Sequence, residues 1–226
     1  MSRMIYAMMT AAPLALLASS TIAGPLDGTW KIDKPQTSLA ELAGGQLPFT
    51  AWGKEQAAKN QAASASGNHD FDLTASRCSS PGLPRLMLMP QRFKILQEKD
   101  VIVVLFEWNR LFRQIDMRPQ PYETEIDSGP KMIGLSKGRW QGKTLVVSTN
   151  DLSDQTLLDD TIPHSDGTTL KEEFQQPSND HLVDTLTISD PKLFTRPVTI
   201  KLTYHRVADD EFPEDVCLDR LPPPAK

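Results

Sequence analysis

The chain is short of the residues that most chemistry needs. It has two cysteines, four histidines and three tyrosines in 226 residues. His69, His181 and His205 fall on separate predicted elements and Cys78 and Cys217 stand far apart, so no zinc-type ligand spacing exists and no metal is expected. Positive charge is also scarce: 24 basic residues face 29 acidic ones, for a formal net charge of −5, and the charges are interspersed. A basic stripe for nucleic acid or a polybasic anchor for anionic lipid is therefore missing. Beyond residue 23 no apolar run approaches the ~20 residues of a membrane helix, so no span is expected once that segment is removed. Between residues 92 and 207 helix periodicity is missing too, which excludes alternating α/β architectures.

What is present begins with an export signal over residues 1–23. Arg3 supplies a positive start, residues 5–18 are apolar, and 19–23 are small, with a cut expected after Ala23. The expected location is periplasmic or secreted, in a compartment where Cys78 and Cys217 either pair or stand as two separate thiols. A bridge would close a loop of about 140 residues, worth roughly 4–5 kcal/mol at most in the chain-entropy model. The remaining chain suits one structural unit, 24–226, because all-β barrels of this size stay undivided.

Within that unit, 24–91 reads as an irregular N-terminal segment with one short helix near 50–65, rich in Ala, Gln and Lys. The domain over 92–226 reads as strands at 92–97, 101–107, 111–117, 132–140, 144–151, 168–175, 181–189 and 197–207, joined mostly by tight turns. Eight strands joined neighbour to neighbour predict an all-β fold, an eight-stranded antiparallel up-and-down barrel of lipocalin or calycin type.

Alternation tells which side chains face inward. In the last strand Val198, Ile200, Leu202, Tyr204 and Arg206 share a face; in earlier ones Arg113, Glu172 and Asp184 stand on otherwise apolar faces. A buried charge must be paired or used. Arg113 and Tyr204, with Asp184, are candidate ligand-binding groups at a cavity floor, and Glu172 a candidate acid or base. The structural alternative is that Arg113 and Glu172 simply neutralise each other.

The long loop 152–167 crowds Asp159, Asp160, His164 and Asp166 together, making His164 a second candidate base. Gly134-Leu135-Ser136-Lys137-Gly138 matches the nucleophile-elbow pattern, but a hairpin follows where that elbow needs a helix. Arg139 and Trp140, at a strand end before Gly142, are candidates for a ligand rim. Gly28-Thr29-Trp30 resembles the Gly-x-Trp opening of many lipocalins, in which a late arginine covers the tryptophan; Arg206 is placed for that.

Longer motifs resemble a wider group. Cys78-x2-Pro81-Gly82-x-Pro84-Arg85, the hairpin Gly138-Arg139-Trp140-x-Gly142-x-Thr144-Leu145-Val146-Val147, His164-Ser165-Asp166 and Asp190-Pro191-x2-Phe194-Thr195-Arg196-Pro197 are similar to those of a family of secreted bacterial β-barrel-like proteins of unknown function. The resemblance implies that Arg113 and Glu172 recur at their positions. Leu135 departs from a frequent histidine and Val198 from a frequent tryptophan.

The expected function is binding of a small, mostly apolar molecule with one polar group, without a cofactor and with oligomeric state open. The alternative is a cofactor-independent lyase, isomerase or hydrolase, with Glu172 or His164 as base and Arg113 stabilising negative charge. A third reading is an interaction protein whose barrel is filled by its own side chains.

Overall fold

The computed structural model describes residues 24–35, 38–119 and 131–217, so the expected export signal over residues 1–23 lies outside the described residues. Nine strands close into one barrel in chain order: β1 (Gly28–Ile32), β2 (Phe93–Gln97), β3 (Val101–Phe106), β4 (Phe112–Asp116), β5 (Leu135–Gln141), β6 (Thr144–Asn150), β7 (Thr169–Ser178), β8 (His181–Ser189) and β9 (Val198–Val207). The last eight are the strands read from the sequence. The ninth is a correction: β1 lies in the stretch read as irregular. Its five residues carry two buried apolar side chains in alternation, Trp30 and Ile32, too short a pattern to signal a strand locally. Its partners make it one, since Trp30 registers with Phe93 of β2 and Arg206 of β9.

A second correction follows from parity. A closed meander of strictly alternating strands needs an even number, so with nine strands two neighbours must run the same way. They are β4 and β5, which pair in parallel through Ile115–Ser136 and Asp116–Lys137. Strands β4 and β5 therefore begin at the same end of the barrel.

The two barrel ends differ. Short turns at 98–100, 142–143 and 179–180 share one end with the start of β1, here the hairpin end. The connections 107–111, 151–168 and 190–197 all lie at the other, capped end, as does the segment joining β1 to β2. That segment holds α1 (Leu39–Leu42), α2 (Ala51–Ala65), α3 (Leu73–Arg77) and α4 (Arg85–Leu88). Helix α2 matches the expected one, with the Thr50 side chain capping Gly53 N–H at 3.0 Å.

The core runs through the barrel and on into the cap. Leu83, Leu86, Met87 and Leu88 are buried in the same apolar cluster as the inward residues of the strands. Burying a side chain of this kind is worth about 1.5–3 kcal/mol. The inward Tyr204 hydroxyl donates to the Met87 carbonyl at 3.2 Å, so residues 83–88 stopper the mouth of the barrel. Cys78 and Cys217 form a disulfide with Cα atoms 5.6 Å apart, fastening the cap to the chain beyond β9.

Candidate functional site

Four adjacent strands each contribute one inward polar side chain to a single network: Arg113 from β4, Ser136 from β5, Thr149 from β6 and Glu172 from β7. Arg113 donates from Nε to Ser136 Oγ at 2.8 Å, from Nη1 to Glu172 Oε1 at 2.9 Å and from Nη2 to Thr149 Oγ1 at 2.8 Å. Nη2 also donates to Glu172 Oε2, completing a bidentate ion pair, and Ser136 and Thr149 hydroxyls meet at 2.9 Å. The two charged side chains are each 1% exposed. All three guanidinium nitrogens are engaged, and such a pair holds both charges in place.

The network also has a mechanical role. It laces β4 to β5, β6 and β7 across the parallel seam, where two residue pairs register against eight between β8 and β9. Gly138 is needed there for close approach: a Cβ would come within 2.5 Å of Met117 Sδ and 2.7 Å of Ile115 Cγ2. Ser136 thus sits inside a strand with no helix after it, not on a nucleophile elbow.

Asp184, inward on β8 opposite Phe174 and Leu202, is 0% exposed, and neither carboxylate oxygen has a hydrogen-bond partner. Burial, and then the Glu172 charge, push its carboxyl well above the usual range, with Arg113 opposing in part. Burial thus favours the protonated, neutral form of Asp184. The Tyr204 phenol is likewise pushed well up, by burial first and then by the charges of Asp184 and Glu172, so these groups share one interior region. An unsatisfied buried polar group costs about 1–3 kcal/mol.

His164 lies elsewhere, in the connection between β6 and β7. Its Nε2 meets Thr156 Oγ1 at 2.7 Å and its Nδ1 meets the Ser165 carbonyl at 2.9 Å. Burial lowers its pKa from the ordinary value. Among the described residues no hydrogen bond joins it to Glu172. Its neighbours form a hub on Asp190, whose carboxylate accepts from Ser165 N at 2.7 Å, Thr168 Oγ1 at 2.7 Å, Ser165 Oγ at 3.0 Å and Leu193 N at 3.0 Å. Burial alone would raise the Asp190 pKa; the hydrogen bonds from Ser165, Thr168 and Leu193 outweigh it and lower it.

Arg85 completes the cap, donating to both Asp72 oxygens at 2.9 and 2.8 Å and to Asp160 at 2.9 Å. A recess of about 100 Å³ opens beside it, between Pro35, Leu88, Met89 and Asp160. The motif residues His164, Ser165, Asp190 and Arg85 thus brace the connections of the capped end.

Arg139 and Trp140 are exposed at the hairpin end, away from the cap. Arg206 stacks over the Trp30 ring at 4.2 Å and donates to the Asp27 carbonyl at 2.7 Å. Gly28, with φ +137°, is required beneath it, since a Cβ would stand 1.7 Å from Arg206 Nη1. Sequence reasoning missed Thr149, Met87 and Asp72; it met Ser136 and Asp190 only inside motifs and gave neither this role. Ser136 and Thr149 carried a signal, as hydroxyls at inward positions in register with each other on neighbouring strands. Met87, Asp72 and Asp190 meet their partners through non-local contacts. Among the described residues no group of three or more His, Cys, Asp or Glu could hold a metal ion.

No family model matches the chain, and no curated protein matches it in sequence. Among solved structures it is similar to a mutant of the fluorescent protein UnaG, at 17% identity over 81% of this chain and 97% of that one, TM-score 0.37. It is also similar to a secretary abundant heat soluble (SAHS) protein of Ramazzottius varieornatus, at 12% identity over 82% and 98% of the two chains, TM-score 0.32. At such scores the fold assignment rests on the hydrogen bonding of the nine strands themselves.

Proposed function

We propose that this protein is an exported barrel that binds a small, mostly apolar molecule with one polar group, in the space that residues 83–88 fill when it is empty. The observation that carries this is Asp184: a buried carboxyl with both oxygens unpartnered, beside an interior polar network whose other members are hydrogen-bonded. An ordinary core selects against such a group, whereas a binding cavity uses it to orient its ligand. Tyr204 is its companion, since its hydroxyl is held by a carbonyl of the stopper. Arg113 and Glu172 form the fixed wall of the cavity. The enzymatic alternative draws less support, because Glu172 is clamped by Arg113 and both nitrogens of His164 are engaged.

One observation favours a second reading, in which the barrel is a filled core and function lies on its surface. Trp30, Leu182, Leu186, Ile188 and Tyr204 are all 0% exposed, so a water-sized sphere reaches none of them. Native mass spectrometry of protein from its own source, followed by solvent extraction, separates the two. The binding reading expects a releasable small molecule, and faster amide exchange at residues 83–88 while it is bound. An empty protein whose exchange there does not respond to its own cell extract would leave the filled-core reading standing.

A further inference from the structure

The polar groups inside the barrel constrain the chemistry of anything that enters. Arg113, the interior cation of the network, has all three side-chain nitrogens engaged: Nη1 and Nη2 in the ion pair with Glu172, Nη2 also on Thr149, and Nε on Ser136. An incoming carboxylate would have to break that pair and leave Glu172 uncompensated in an apolar medium, so anions are excluded. Asp184 is different: neither of its oxygens makes a hydrogen bond, and its register partners are Phe174 and Leu202, with Leu182 and Leu186 flanking it on its own face and Glu172, Arg113 and Tyr204 in electrostatic reach. A carboxylic acid in its neutral form offers one O–H donor and one carbonyl acceptor side by side. Its complement is a group that presents an acceptor and a donor side by side, in the reverse order.

Resting on the binding function proposed above, we infer that the polar end of the ligand is an uncharged amide edge, a primary amide or lactam, that pairs with both oxygens of Asp184. Two parallel hydrogen bonds formed away from water satisfy the groups on both partners, which a hydroxyl or an ether satisfies only in part. The interior stays neutral before and after binding, and the Arg113–Glu172 pair is left intact. A trans secondary amide has its N–H and C=O on opposite sides and cannot form the paired arrangement.

The test uses probes with one common tail: decanamide, N-methyldecanamide, decanol and decanoate, each competing with the neutral dye N-phenyl-1-naphthylamine for the disulfide-bonded protein at pH 7. Decanamide is expected to displace the dye at concentrations about tenfold below those for N-methyldecanamide, with decanoate weakest, the difference being that of one or two hydrogen bonds. Asp184→Leu should abolish the preference, bringing the displacing concentrations of decanamide and N-methyldecanamide together. Asp184→Asn, which also presents a donor beside an acceptor, should retain it. Saturable dye binding with decanoate equal to or tighter than decanamide, or a preference that survives in Asp184→Leu, overturns the amide assignment while leaving the binding reading intact. If neither the dye nor any probe binds saturably to the wild type, the binding reading itself fails.

Discussion

The two ends of this barrel are built by different means. At the hairpin end three short turns connect neighbouring strands, and a single stacked pair, Arg206 on Trp30, covers the floor. At the capped end the connections are long, and buried polar groups tie together segments remote in sequence: Asp190 to Ser165, Arg85 to Asp72 and Asp160, Cys78 to Cys217. The first end is specified by local turn chemistry, the second by a few non-local partners. A mouth that must both close and admit something is better served by the second, since discrete partners can exchange where a tight turn cannot. The difference also implies that single substitutions have larger effects on the capped side.

The largest effect is expected at the buried pair. Arg113→Met should destabilise by about 3–5 kcal/mol in urea denaturation, because Glu172 is left buried without a counter-charge, and Arg113→Met/Glu172→Leu should recover most of that loss. If the double variant is no better than the single one, the pair is not what holds the seam. Replacing both cysteines by serine should cost about 2–4 kcal/mol, with amide exchange accelerating in the cap and not at the 179–180 turn. Asp190→Asn comes next, at about 2 kcal/mol, from weakening several charge-assisted hydrogen bonds at once. At the hairpin end Arg206→Leu should cost no more than about 1 kcal/mol, the scale of one cation–π contact near the surface. A loss there equal to that at Arg113 would erase the contrast between the ends.

Proton linkage gives the smallest and most diagnostic signal, because its sign differs among the groups. Asp190 has a pKa below its ordinary value of 3.8, so its contribution is present above that pH and is lost as pH falls through the lower folded value. His164, lowered from 6.5, behaves similarly: its neutral form contributes fully above about that pH, and stability declines as pH drops below it. Asp184 has the opposite sign. It is protonated in both states well below 3.8; above that pH the unfolded chain releases its proton and the folded one does not, so stability falls as pH rises. Asp184→Asn should therefore be more favourable at pH 7 than at pH 4 when the two unfolding midpoints are compared. An equal effect at both pH values would mean that Asp184 is not held neutral.

Legibility in the sequence followed the locality of each interaction. Strands β7, β8 and β9 were readable because each alternates over eight or nine residues, which singled out Glu172, Asp184 and Tyr204 as polar groups on apolar faces, and the shorter alternation of β4 singled out Arg113. Strand β1 was not readable, since two apolar residues fix no period and its identity comes from β2 and β9. The parallel seam was hidden for a related reason: strand direction across a long connection is decided by barrel closure and leaves no mark on the residues beside it. Asp190 and Ser165 stood out only as motif residues, and their joining in a hub was not readable because both sit in connections, where no periodicity exists to mark a buried carboxylate.

The register of β1 with β9 has a consequence for how the chain is made. Thr29 pairs with Val207, so one edge of β1 stays open until nearly the whole barrel has been synthesised. At the usual pace of translation that wait is roughly ten to thirty-five seconds. Its other edge cannot pair until β2 appears, well after the cap helices have been made. During that interval Trp30 and Ile32 sit on an unprotected strand, a form open to mispairing and capture by other chains. Closure of the ring in a nascent chain of this design therefore waits for β9, the last strand made.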